Sequence, residues 1–291
     1  MTLEQLRIFV AVAEREHLTR AAADIGLTAS AVSASVRALE AFYNVALFDR
    51  VGRGIELTEA GRVFLGEAKA TLARAEAAGL VLSELGGLRR GRLNVQASQT
   101  IANYWLPPRL MLLHEVHPGI EVRLGVGNTQ SVAEAVMKGE AELGFIEGEI
   151  DAPALHVRLI AEDAMVVVTG RDHPFADGHP LADEDLARAK WVMREAGSGT
   201  RAALMDALAA HGLAAGDLTI ALELPSNEAV VSAIRGTSGV AALSSAVVAP
   251  RLAQGDLVAA NISLPVRHFY ALHHKERRLS KAAEALLGLE I

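Results

Sequence analysis

The chain contains no cysteine. That absence excludes a disulfide framework, a thiolate zinc site and a thiol redox switch. Aromatic residues make up only 4% of it, while 51% of residues are hydrophobic. A core must therefore be built from aliphatic and small side chains, and there are enough of them. No apolar run reaches the roughly 18 residues that a membrane helix needs. No basic segment followed by an apolar stretch stands near Met1, as a secretory signal would. The expectation is a cytoplasmic protein with no membrane partner. Its 291 residues suit two or three units rather than one.

Signs of catalysis are also lacking. There are ten histidines, but His273-His274 and the His114 and His117 pair have no carboxylate at zinc-ligand spacing. The Gly197-Ser198-Gly199-Thr200 run has neither the Gly-x-Ser-x-Gly elbow nor a phosphate-loop lysine. Gly125-Val126-Gly127 is not followed by a third glycine at dinucleotide-binding spacing. No enzyme, metal or cofactor is expected.

The net charge is −7, which at first argues against nucleic acid. Its distribution changes that. Residues 1–90 carry 11 basic and 11 acidic side chains, so the whole excess belongs to the remainder. A neutral N-terminal unit binds DNA if its arginines share a face.

Thr2-Leu3-Glu4-Gln5 fits a capping box, and Leu3, Leu6, Phe9, Val10 and Ala13 recur at helical spacing. A second helix is expected at about 19–25, ended by Gly26. Thr28 then caps a third running to about Tyr43. Two short helices, a tight turn and a further helix match helix-turn-helix geometry. On the third helix Val32, Val36, Leu39 and Tyr43 form a core stripe. Ser30, Ser33, Ala34 and Arg37 form a second, small and polar, which with Thr28 suits a major groove and equally suits a solvated face of a bundle. The next segment, Leu47 to Thr58, reads as strand, glycine turn, strand, with Arg50 and Arg53 near the tip. A hairpin bearing arginines after a helix-turn-helix is a wing.

These residues resemble the LysR-type transcriptional regulator family. The resemblance rests on Ala21-Ala22-Ala23, Ser30-Ala31-Val32-Ser33, Arg37-Ala38-Leu39-Glu40, Leu47-Phe48-Asp49-Arg50 and Leu57-Thr58-Glu59-Ala60-Gly61. It implies a regulator that binds double-stranded promoter DNA, responds to a small-molecule effector, and forms a homodimer assembling to a homotetramer, with RNA polymerase as a further partner. Many relatives carry glutamine at the position of Ala29 and a long side chain near Ala34 and Ser35. Short side chains here imply sparse base reading and more reliance on DNA shape.

Thr58 can cap a long helix over about 59–85. Leu65, Ala68, Leu72, Ala75, Gly79 and Leu82 alternate by three and four, the spacing of a coiled-coil seam. A helix packed on its own domain gives the same spacing; the resemblance implies a dimerisation helix. Gly86, Gly87 and Gly91 flank Arg89 and Arg90 and suggest a hinge. The expected domains are a winged helix-turn-helix at 1–58, a linker helix and hinge at 59–91, and an effector-binding domain at 92–291.

From Arg92 onward strands and helices alternate. Strands are expected at about 93–97, 120–126, 142–146, 165–169, 191–194, 219–223, 240–243 and 268–273. Helices are expected at about 100–114, 129–138, 200–211, 228–235 and 280–287. Repeated βα units imply an α/β fold with parallel sheets, and ligands gather beyond the C-terminal ends of such strands. The junctions there are rich in hydroxyls: Ser98-Gln99-Thr100, Asn128-Thr129, Gly197-Ser198-Gly199-Thr200-Arg201 and Pro225-Ser226-Asn227. Helix N-termini attract anions, although most Ser, Thr and Asn at such places only cap their own helix.

This half is similar to the family's regulatory domain, a two-lobed fold like that of type II periplasmic binding proteins. The resemblance implies one lobe of 92–161 with 268–291, another of 162–267, and an effector cleft between them. Carried over by position, Ser98, Gln99, Thr100, Thr129, Glu147, Ser198, Gly199 and Thr200 line it. The stretches 97–101 and 194–201 look most like members tied to inorganic sulfur metabolism and carbon-dioxide fixation, although relatives often have proline where Ala196 stands. The effector is then a small anion, an oxyanion or carboxylate, to which Glu147 is awkward. The rival is a solute-binding protein of the same two-lobed fold, against which the winged helix argues.

Overall fold

Thr2 opens the first helix as its cap. Its hydroxyl accepts the Gln5 N–H at 3.1 Å, and the Gln5 side chain accepts the Thr2 N–H at 2.9 Å. The pair satisfies donors that a helix start otherwise leaves over. Helices α1 (Leu3–Arg15), α2 (Leu18–Asp24) and α3 (Ala29–Tyr43) follow. Gly26 takes φ +70° between α2 and α3, a conformation that strains other residues. Thr28 caps α3, its hydroxyl accepting from Ala31 at 3.2 Å. The computed structural model describes residues 1–51, 54–85 and 91–289. They form two compact units, one carrying the elements through the long helix and one carrying the rest.

Inside the first unit, Ile8, Val12, Ala21, Ala22, Val32 and Val36 pack together. The expected stripe on α3 ends at Leu39. Tyr43 is 51% exposed, because the last turn stands clear of the core and Tyr43 meets Phe42 edge-on at the surface. Strands β1 (Phe48–Val51) and β2 (Gly54–Leu57) form an antiparallel hairpin. Glu40 anchors it: one carboxylate oxygen accepts the N–H groups of Leu47 at 2.8 Å and Phe48 at 3.2 Å.

Thr58 caps α4 (Glu59–Leu85), accepting the Gly61 N–H at 2.9 Å. Ala68 is buried among Leu6, Phe9, Ala13 and Leu39, with Leu65 and Leu72 packed alongside. Lys69 reaches Glu14 at 3.0 Å. The first half of the expected dimer seam therefore covers the chain's own α1. Three-four spacing marks a buried stripe without saying whose surface covers it. The side chain of Leu82 and the hinge residues 86–90 lie outside the described residues.

The second unit continues with β3 (Gly91–Ser98), a π-helical segment (Ile101–Trp105), α5 (Leu106–Val116), β4 (Ile120–Gly127), α6 (Thr129–Lys138), β5 (Leu143–Glu147) and β6 (Leu155–Asp163). Next come β7 (Met165–Gly170), α7 (Asp183–Arg188), β8 (Lys190–Arg194), α8 (Gly199–Ala210), β9 (Thr219–Leu224), α9 (Asn227–Ile234) and β10 (Gly239–Ser244). The chain ends on α10 (Ser245–Ala253), β11 (Leu257–Ala259), β12 (Arg267–His274) and α11 (Lys281–Leu287). One sheet has the order β4-β3-β5-β12-β6 and the other β11-β7-β10-β8-β9. Each is the centre of one lobe, filled by side chains such as Leu93, Phe145 and Phe269 in the first and Trp191, Met193 and Leu204 in the second.

The sheets are mixed, not parallel. β12 runs antiparallel to β5 and β6, and β7 antiparallel to β10 and β11. A parallel neighbour needs a crossover connection; here β6 passes directly through Ala164 into β7 of the other sheet, and β12 returns from that lobe to pair with β5 and β6. β6 also extends to Asp163 and β12 begins at Arg267, as direct partners. Both residues therefore belong to the first lobe's sheet, not to the second lobe expected at 162–267. The single helix expected at 100–114 is split. Pro107 and Pro108 lack N–H donors, so the turn before them opens into a π-helix. No helix among the described residues is long and apolar enough to cross a membrane.

Candidate functional site

The second unit buries a connected set of polar side chains where its two sheets face each other. Ser98, Thr100, Thr129, Glu147, Ser198 and Thr200 are each 9% exposed or less, as are Asp163, Arg194, Asn227 and Arg267. Buried polar groups need partners, and four of these bonds cross from one lobe to the other: Arg267–Thr200, Ser244–Asp163, Asn227–Gln99 and Asn227–Thr100.

Arg267 is the centre. Its Nε donates to Asp163 at 2.6 Å, one terminal nitrogen to Thr200 Oγ1 at 3.0 Å, and the other to Thr100 Oγ1 at 3.5 Å. Ser244, at the end of β10, donates to the second Asp163 oxygen at 2.7 Å. Asn227 is fully enclosed at the start of α9. Its backbone N–H, free at a helix N-terminus, donates to Gln99 Oε1 at 2.6 Å, and its side chain donates to Thr100 at 3.1 Å. Arg194 holds Asn227 from behind, donating to its side-chain Oδ1 at 2.7 Å.

A second seam lies at the start of α8. Thr129 donates to the Glu147 carbonyl at 2.9 Å. Gly199 rests on both: a Cβ there would press into that carbonyl oxygen and stand 2.7 Å from Thr129 Oγ1. Only glycine permits this approach. Asn128 donates to Glu195 at 3.3 Å, and Gln130 N–H to the Gly197 carbonyl at 3.3 Å. Burial pushes the Glu195 carboxyl up, but bonds from Arg194 and Asn128 outweigh it and leave it below the usual carboxylate range. Tyr104 on the π-segment faces Glu228 on α9; burial, then that carboxylate, holds its phenol above the ordinary 10.0.

Of the eight expected residues, Gln99, Thr100 and Thr200 bond to the opposite lobe, Thr129 and Glu147 lie against Gly199, and Ser98 and Ser198 are buried. Ser198 takes the N-cap position of α8 but makes no capping bond. Arg201 does not enter the cleft; it pairs with Glu223 on β9. Arg267 and Asp163 were missed by sequence reasoning, and Asn227 was read only as a helix-opening residue. One signal for Arg267 existed: it shares the period-two phase of Phe269 and Ala271, which face inward on β12.

On the first unit, Thr28, Ser30, Ala34 and Arg37 are exposed along α3, and Ser33 is half-buried between them. Thr28 and Ser30 share a hydrogen bond at 3.0 Å, and Arg37 Nε donates to the Ser33 carbonyl at 3.3 Å. Arg50 is exposed on the wing. Arg53 lies outside the described residues. This face of α3 carries small side chains, hydroxyls and the single guanidinium of Arg37.

Comparison with known proteins agrees with both halves. Residues 3–62 match the bacterial regulatory helix-turn-helix protein family of lysR type, and 86–289 match the LysR substrate binding domain. The chain is 34% identical over 289 residues to the HTH-type transcriptional regulator YeiE of Escherichia coli K12, covering 99% of this chain and 96% of that one. It is 30% identical over 288 residues to the HTH-type transcriptional activator CmpR of Synechocystis, covering 98% and 93%. The full-length CbnR complexed with its target DNA superposes with a TM-score of 0.74 at 22% identity, over 99% of this chain and 98% of that one. The CcmR regulatory domain of Synechocystis in complex with 2-PG superposes with a TM-score of 0.62 at 28% identity, over 68% and 94%. A winged helix-turn-helix followed by a two-lobed effector-binding domain is a regulator's architecture rather than an enzyme's, and this chain belongs to the LysR family of transcriptional regulators.

Proposed function

We propose that a small anionic metabolite held between the two lobes controls promoter binding by the winged unit. The carrying observation is Arg267: a buried guanidinium bonded to Asp163 and Thr100 of one lobe and to Thr200 of the other. A ligand that bonds to these groups favours one lobe arrangement, and a shift of that equilibrium needs only such a difference in affinity. The likeness to CcmR, whose regulatory domain was solved with 2-PG, supports an anion of that general kind. Acting on promoter DNA, the protein works in the cytoplasm.

Self-association belongs to the same proposal. The first unit carries an apolar cavity of about 280 Å³ lined by residues that include Met1, Leu39, Tyr43, Val45 and Phe64. Phe42 is 74% exposed and Val63 66%. Exposed apolar surface of this kind marks an interaction site. A homodimer, pairing again to a homotetramer, presents two recognition helices to two half-sites.

Two measurements test this. A thermal-shift screen with sulfate, sulfite, thiosulfate, phosphate and 2-PG is expected to give stabilisation in wild type that Thr200→Val removes. A gel shift on the DNA upstream of the protein's own gene is expected to show binding that responds to the same anion. Binding with no response to any stabilising anion contradicts the proposed control.

A further inference from the structure

The polar cluster in the second unit holds two atoms with no bonding partner. Glu147 Oε1 and Ser98 Oγ are both closed off from solvent and unbonded. A buried acceptor left unbonded is costly, most of all on a charged group, so each marks a place where something else bonds. The two differ in kind. A serine hydroxyl donates or accepts, whereas an ionised carboxylate only accepts.

Glu147 is close to the cation at the centre of the cluster. Phe269 lies directly opposite it across the β5–β12 ladder. Arg267 is two residues earlier on the same face, its guanidinium 5.7 Å from the Phe269 ring. Diagonal positions on an antiparallel ladder are about 7–8 Å apart, so one small molecule spans both. Arg267 donates to Asp163, Thr200 and Thr100, which leaves N–H groups of its fork unused. Thr100 Oγ1 already accepts from Asn227 and Arg267, so its own proton remains to be given. Those donors ask for an anion.

The charges set a further condition. Arg267 is paired with Asp163, and Arg194 with Glu195. Among the described residues, the Glu147 carboxylate has no such partner. A bare anion would bring a second negative charge into the same enclosed space, where repulsion is strong. A hydrogen between ligand and Glu147 turns that repulsion into a bond.

Building on the cleft reading, we infer that the ligand is a small anion carrying its own hydrogen-bond donor. Its oxygens face Arg267 and Thr100, and its O–H or N–H donates to Glu147 Oε1. Such chemistry comes from a protonated inorganic oxyanion or from a hydroxy- or amino-carboxylate.

Calorimetric titration of the full chain at pH 7 with two matched pairs tests this and separates the sources. Phosphate retains a proton there and sulfate does not; glycolate carries a hydroxyl and acetate does not. The donor-bearing member of at least one pair is expected to bind about 10- to 100-fold more tightly than its mate. Glu147→Gln, whose amide also donates, is expected to bring the pair within about threefold by admitting the donor-free anion. Equal binding within both pairs, tight sulfate binding by wild type with proton uptake, or no binding of any probe overturns the inference. Arg267→Met, checked for cooperative unfolding, tells the two readings apart, with Thr200→Val in its place if it does not fold. If both members of a pair bind equally and both are lost in that variant, the cleft reading stands and the donor requirement falls. If anions bind wild type and variant alike, both fall.

Discussion

Arg267 Nε lies 2.6 Å from Asp163 Oδ2, with both side chains almost fully buried. The two residues are also partners across the β6–β12 ladder, at the points where the chain leaves the first lobe and returns to it. Ser244 bonds the same carboxylate from the second lobe. One ion pair therefore fastens both passages between the lobes. Asp163→Asn strands a buried guanidinium, and its expected cost is about 3–5 kcal/mol. Urea unfolding reads this as a lower midpoint at unchanged slope. A loss under about 1 kcal/mol would mean the pair is better solvated than its burial implies.

Gly199 sets how closely the lobes approach. An added methyl would press into the Glu147 carbonyl and come within 2.7 Å of Thr129 Oγ1. Overpacking of this kind costs about 1–3 kcal/mol, so Gly199→Ala is expected to lower the melting temperature and weaken any anion-induced shift. Gly66 is the control. It lies within α4 with nothing inside 4 Å of an added Cβ, and Gly66→Ala is expected to stabilise by up to about 1 kcal/mol. Equal effects of the two substitutions would show that Gly199 is not a contact point.

Local chemistry made much of this legible in advance. Thr2, Thr28 and Thr58 announced helix starts because a hydroxyl before an apolar repeat answers a need of the backbone itself. Gln99, Thr100 and the 198–200 run stood out as strand-to-helix junctions, although neither Thr100 nor Ser198 makes a capping bond. What failed to show was long-range. Asp163 and Arg267 are 104 residues apart, and neither has a local reason to be polar in a strand. β6 was missed because most of its residues are exposed, so it lacks alternation. α10 was missed because Pro250 sits inside it, where proline usually signals an end. The seam on α4 was seen, but spacing alone did not show that its first half, Leu65, Ala68 and Leu72, packs on α1 of the same chain.

The winged unit supports a prediction about salt. Arg37 and Arg50 are exposed, one on the recognition helix and one on the wing. A cation that touches phosphate releases a counterion, so Arg50→Ala is expected to weaken all DNA sequences alike and reduce the slope of log affinity against log salt by about 1. Arg37→Ala, if that side chain reads a guanine edge, is expected to cost about 1–3 kcal/mol on the promoter and much less on unrelated DNA. Fluorescence anisotropy over a salt series separates these outcomes. Unchanged slopes for both variants would remove these arginines from the interface.

Histidines give the second unit a dependence on acid. Burial holds His273 below the ordinary 6.5, and nearby His156 adds to the effect; their rings stack with centroids 4.8 Å apart. Burial lowers His173 in the same way. A lowered folded-state value means that the unfolded chain binds more protons, so stability rises with pH through this range. The contribution is complete above about pH 6.5 and is lost as pH falls from there through the folded values. His179 has the opposite sign, raised by its bond to Asp177, but it is exposed and solvent screens the pair. Melting temperatures at pH 7.5, 6.5 and 5.5 are therefore expected to fall more steeply in wild type than in His273→Gln. Parallel curves would mean that His273 takes up its proton as readily in the folded chain as in the unfolded one.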